Sequence, residues 1–149
     1  MRAVLSPGCN SRSPHAEQAD AKAGLGFRAW SEKVNLTEKL ALFEERWSPK
    51  IVAELNDAYV KVVKFTGEFV WHHHDDEDEL FLVVSGQLRM QFRDGEVVLE
   101  PGELIVVPRD VEHCPLAEGE THVVLIEPKT TLNTGNVRNE RTVAQLERI

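Results

Sequence analysis

The sequence predicts an all-β fold, a small sandwich or barrel, and three observations carry that reading. Short β-rich runs recur from residue 51 to residue 126 at near-regular spacing, with Gly, Pro, Asn and Asp turn signals between them. The chain has 149 residues, enough for one domain with a real core and too few for two comfortable ones. Its apolar fraction of 42% and charged fraction of 28% are those of a soluble globular protein.

Taken in order, residues 1–35 read as a flexible N-terminal segment, because Pro, Ser, Gly, Ala and polar residues dominate up to Phe27 with no sustained period. A short amphipathic helix is predicted over residues 37–47. Leu36, Leu40, Leu42, Phe43 and Trp47 fit one helical face, Asn35 or Thr37 supplies a cap, and Ser48-Pro49 ends it. Residues 51–55 form the first strand and Asn56-Asp57 the turn after it. Residues 59–65, broken by Gly67, are the second strand, residues 69–74 the third and residues 79–84 the fourth. Residues 87–92 alternate polar and apolar as the fifth and lead into a hairpin turn, Arg93-Asp94-Gly95-Glu96. Residues 97–99, 103–107 and 122–126 supply three more. After Pro128 comes a polar arm, residues 129–149, with a short helix expected over 142–148.

Charge and composition exclude several functions. The net charge of -8 argues against nucleic acid, which needs a basic face, and against anionic membrane surfaces. No apolar run approaches the roughly 20 residues of a membrane span, and no secretory h-region follows Arg2. Only Cys9 and Cys114 are present, which argues against a disulfide framework and for a reducing cytoplasm.

The run from Trp71 to Glu79 carries three histidines and five acids. On a strand, His72 and His74 point to the same face and His73 to the other. Glu79 opens the next strand, and His113 lies far downstream, five residues beyond Pro108. Two same-face imidazoles, a carboxylate and a distant third imidazole are what a first-row divalent metal site requires. The bland alternative is a solvated His-rich turn without metal. Asp75, Asp76, Glu77 and Asp78 read as a solvated loop. His122 reads as a structural histidine, and Cys114 as a buried small hydrophobe facing away from His113. Trp71, Phe81, Met90 and Phe92 read as barrel or interface filling, and Arg89 and Arg93 as exposed strand arginines. Leu40, Phe43 and Trp47 pack over the barrel or across a subunit boundary.

These residues resemble the two motifs of the cupin family, small jelly-roll barrels. The first family motif runs Gly, five residues, His-x-His, three or four residues, Glu, six residues, Gly. The chain has Gly67, four residues, His72-His73-His74, four residues, Glu79, six residues, Gly86. The second runs Gly, five residues, Pro-x-Gly, two residues, His, three residues, Asn. Here it is Gly102, five residues, Pro108-Arg109-Asp110, two residues, His113, three residues, Ala117. The first gap is one residue short, so a one-residue bulge would make His73 a ligand in place of His72. Asp110 replaces a glycine and can take the left-handed turn required there.

The resemblance implies an all-β, double-stranded β-helix (jelly-roll) cupin barrel over residues 36–128, with a short N-terminal helix. It is similar, more closely, to the short single-domain cupins of the mannose-6-phosphate-isomerase-like type. It implies His72, His74, Glu79 and His113 as ligands of a divalent transition metal, Fe, Mn, Ni, Zn or Cu. Two functions remain open. One is a metal-dependent enzyme, of dioxygenase or isomerase type, acting on a small polar organic molecule. The other is a non-catalytic small-ligand-binding or sensing cupin with a structural metal. A homodimer is the expected assembly. The arm after Pro128 is a lid, a reach to a partner subunit, or a loose tail.

Overall fold

A computed structural model of the protein describes residues 32–149; the expected flexible N-terminal segment lies almost wholly outside the described residues. Among the described residues one helix, α1 (Leu36–Leu40), precedes eight strands: β1 (Lys50–Leu55), β2 (Ala58–Glu68), β3 (Glu79–Ser85), β4 (Leu88–Phe92), β5 (Gly95–Leu99), β6 (Leu104–Val107), β7 (His113–Pro128) and β8 (Glu147–Arg148). The sheet runs β5-β4-β7-β2-β1-β8, with β3 joining β7 to β6. All pairings are antiparallel except β1 with β8. This is the predicted all-β jelly roll. Among the described residues no helix is long and apolar enough to cross a membrane.

Alternation along the strands builds two cores. Val63 and Phe65 of β2 face inward with Phe81, Val83, Met90, Val123 and Leu125. Val62 and Val124 face the other side and meet Leu40, Phe43 and Val52. The hairpin between β1 and β2 turns on Asn56, at a φ of 52°, a conformation that Asn tolerates.

Four elements differ from expectation. The helix is shorter than residues 37–47. Asn35 caps it, accepting from Thr37 N at 3.0 Å and Glu38 N at 3.3 Å, and it ends at Leu40. Beyond it the barrel claims Trp47, whose indole Nε1 donates to Thr66 O at 3.0 Å and whose ring stacks on Phe65 and Phe69. Tertiary packing thus overrides the helical period. The third strand, residues 69–74, is an irregular segment with a single bridge, His72 opposite His113. Residues 122–126 are not a separate strand but the end of β7, sixteen residues long. Pro115 and Gly119 hid its first half, since both residues are poor strand signals. Residues 142–148 are not a helix. Their end, β8, adds to the edge of β1, and Ile149 N donates to Ile51 O at 3.1 Å.

Candidate metal centre

The four expected site residues come together. His72, His74, Glu79 and His113 are all buried, and one donor atom of each lies within 4.8 Å of the others. Three elements deliver them. His113 opens β7 and Glu79 opens β3, and the fold brings the two side chains together. His72 is pinned across from His113 by two backbone hydrogen bonds, of 3.1 and 2.9 Å. His74 is held by its carbonyl, which accepts from Asp110 N at 2.8 Å. That turn needs Asp110 in the left-handed region, at φ 61°, as the motif comparison anticipates.

Hydrogen bonds aim the rings. His72 Nδ1 lies 2.9 Å from Val70 O, and His113 Nδ1 lies 2.9 Å from Val111 O. A carbonyl only accepts, so each Nδ1 carries the proton and each Nε2 keeps its lone pair. His74 Nε2 and His113 Nε2 stand 3.3 and 3.5 Å from Glu79 Oε2. All three atoms are buried without a hydrogen-bond partner. Buried polar atoms left unpaired are costly, and three such atoms converging beside His72 fit a bound cation. Imidazole with carboxylate suits Fe, Mn, Ni, Zn or Cu.

Electrostatics prepare the site. Burial, and then the charge of His113, push the His72 imidazole down from 6.5 to about 4, so it is neutral at pH 7. Burial raises the Glu79 carboxyl, but the His113 and His74 imidazoles beside its Oε2 outweigh it and hold the group well below the usual carboxylate range. Glu127, inside the barrel, goes the other way: burial first, and the Glu79 charge second, raise it well above the ordinary value.

The remaining candidates fall outside this cluster. His73 points away, half exposed, with Nε2 3.0 Å from Asp75 Oδ1. The missing residue in the first motif is therefore not restored by making His73 the inward ligand. Together with Asp110, His73 and Asp75 form a second and more exposed donor group. His122 Nε2 meets Glu120 at 2.7 Å. Cys114 is buried, its thiol pushed up to about 11 by burial and then by Glu68. Arg93 forms a two-pronged pair with Glu112 and stacks on Trp71, and Arg89 pairs with Glu96.

Of the alternatives the sequence left open for the C-terminal arm, it folds back onto the site rather than hanging loose. Asn136 N donates to His73 O at 3.0 Å, and Asn136 Oδ1 accepts from His73 N at 3.0 Å. Gly135 sits so close that a Cβ there would lie 2.1 Å from His73 O. Sequence reasoning missed Lys61 with Glu127, a fully buried ion pair. A signal for it existed: each is a charged residue at an inward position of an otherwise apolar alternation. A cavity of about 20 Å³ adjoins the site, lined by Trp47, Phe65, Phe69, His72, Glu79 and Phe81 among others. That is room for about one water-sized molecule.

Residues 59–128 match the cupin domain family. A cupin-2 domain containing protein from Shewanella frigidimarina superposes with a TM-score of 0.64 at 47% identity, over 64% of this chain and 94% of that one. The uncharacterized protein YdbB of Bacillus subtilis is 43% identical over 79 residues, 52% of this chain and 70% of its own length. The chain belongs to the cupin superfamily. This cupin is also 30% identical over 115 residues to the acireductone dioxygenase of Bacillus subtilis, a match spanning 64% of this chain and 65% of the enzyme. The chain thus covers slightly under two thirds of that relative's length.

Proposed function

We propose that this cupin binds one divalent transition metal through His72, His74, Glu79 and His113, and uses it as a dioxygenase on a small polar organic substrate. One observation carries the reading: the converging buried donor atoms, with no other partner for His74 Nε2, His113 Nε2 and Glu79 Oε2. A bound ion would supply Lewis-acid and redox chemistry at an open coordination position. The protein's own residues do the rest. Val70 O and Val111 O fix the tautomers of His72 and His113. Trp47, Phe65, Phe69 and Phe81 wall the adjoining cavity with apolar rings. The cavity suits a diatomic gas or a water. Likeness to acireductone dioxygenases favours oxygen chemistry over the isomerase alternative.

A specific observation favours a second reading, a non-catalytic ligand-binding or sensing cupin with a structural metal. The cavity is small, and the arm at Gly135 already packs on the histidine segment. Oxygen uptake by protein loaded with Fe, Mn, Ni, Zn or Cu, against a panel of enediols and catechols, separates the two. Metal-dependent consumption of oxygen supports the dioxygenase. Tight metal binding with no turnover across the panel supports the binder.

The proposed assembly is a homodimer in a reducing cytoplasm. Support comes from exposed Leu104 and Val106 on β6, which pairs only with β3, and from the buried free thiol of Cys114.

A further inference from the structure

Two charged side chains inside the barrel stand outside the four-residue site. Lys61 and Glu127 are fully buried, and Lys61 Nζ donates to Glu127 Oε1. Both face inward. Lys61 shares its side of β2 with Val63 and Phe65, and Glu127 shares its side of β7 with Val123 and Leu125, all core residues. The register then brings Glu127 to Glu79. Leu80 pairs with Ile126 and Phe81 with Leu125, so the next position on the same ladder sets Glu79 across from Glu127. The two side chains therefore enter the barrel from facing positions, and both are buried there. Glu127 Oε2 is buried without a hydrogen-bond partner. Glu127 is not one of the four donor residues.

A fully buried Lys–Glu pair is a poor source of stability. Desolvating both charges offsets most of their attraction, and an apolar pair of similar volume does as well or better. Its contact with a ligand gives it another role. We propose that Lys61 and Glu127 are positioning residues for Glu79: Lys61 anchors Glu127, and Glu127 fixes the Glu79 carboxylate so that Oε2 stays aimed at His74 and His113. This rests on the reading of the four residues as a metal site. Groups that orient metal ligands in this way typically carry about a 10–100-fold effect on metal affinity.

The test uses full-length protein stripped of metal and titrated calorimetrically with Zn²⁺ and Mn²⁺ at neutral pH, alongside melts of the same metal-free samples. The variants are the double Lys61→Met/Glu127→Leu and the single Glu127→Gln. The double variant is expected to melt no lower than wild type when metal-free, yet to bind about 10–100-fold more weakly. Glu127→Gln, whose amide oxygen can accept from Lys61 and whose amide nitrogen can donate to Glu79, stays within about three-fold of wild type. Should the double variant fail to fold, Lys61→Met alone leaves Glu127 present but unanchored, and weakens binding at least about five-fold. Wild-type affinity in the folded double variant, or in Lys61→Met, overturns the positioning role while leaving the metal site standing. A wild-type protein that binds neither ion overturns the metal site itself, and the positioning role with it.

Discussion

Acid should destabilise the metal-free protein through His72, by an amount that can be worked from its surroundings. In the fold its imidazole is pressed from 6.5 down to about 4, by burial first and the charge of His113 second. In the unfolded chain it takes its proton near 6.5. Between those values the unfolded chain holds the extra proton, so stability falls as pH drops through this window and is unaffected above it. At about 1.4 kcal/mol per unit, the full effect is about 3 kcal/mol by pH 4. Glu79 acts in the same direction at lower pH. Its folded carboxyl is held below the ordinary value, so its contribution is present above about 4.5 and is lost as pH falls below that. His72→Phe removes the first effect and leaves the second. Urea denaturation of metal-free wild type and His72→Phe at pH 7 and pH 4.5 reads the difference. Wild type should lose about 2–3 kcal/mol more than the variant between the two pH values. Equal losses would mean that His72 is not held neutral by its burial, and the electrostatic account of the site would fail at that residue.

Other outcomes follow from single contacts. Gly135→Ala should undock the C-terminal arm, because the added Cβ would meet His73 O at 2.1 Å and His72 Cδ2 at 3.1 Å on a backbone already at φ 52°; faster limited proteolysis within residues 129–149 checks this. Trp47→Ala should cost about 3–5 kcal/mol in denaturant melts, since the buried indole stacks on Phe65 and Phe69 and fills the wall beside His72 and Glu79. Asp110→Gly should raise stability by up to about 1 kcal/mol, because glycine adopts the φ of 61° without strain, and should leave metal affinity unchanged.

The parts of the fold legible in the sequence were those with a local cause. Alternation and turn residues located β1 to β6 to within a few residues, and the spacing of His72, His74, Glu79 and His113 located the site. Asp110 was readable as a glycine substitute because short polar side chains tolerate the left-handed region. What stayed hidden depends on partners far along the chain. Residues 69–74 have strand composition, but their backbone bonds go to His113, Asp110 and Asn136 instead of a continuous ladder. The period of residues 36–47 is helical, yet Trp47 has a better place in the barrel. Residues 142–149 carry a weak helical pattern that loses to the unpaired edge of β1. Lys61 and Glu127 lie 66 positions apart, and only the β2–β7 pairing brings them together.

Thermal melts of metal-free wild type and His113→Ala, each with and without added divalent metal, at neutral and mildly acidic pH, test the proposed site most directly. An ion that binds the native state stabilises it by mass action, about 2.7 kcal/mol at a hundred-fold excess over Kd. Wild type should therefore melt higher with metal at neutral pH. The gain should shrink in acid as protons compete for the imidazoles. His113→Ala should keep its β-sheet circular dichroism spectrum and lose most of the gain. Equal metal-induced shifts in the two proteins would remove His113 from the site and contradict a metal centre built from His72, His74, Glu79 and His113.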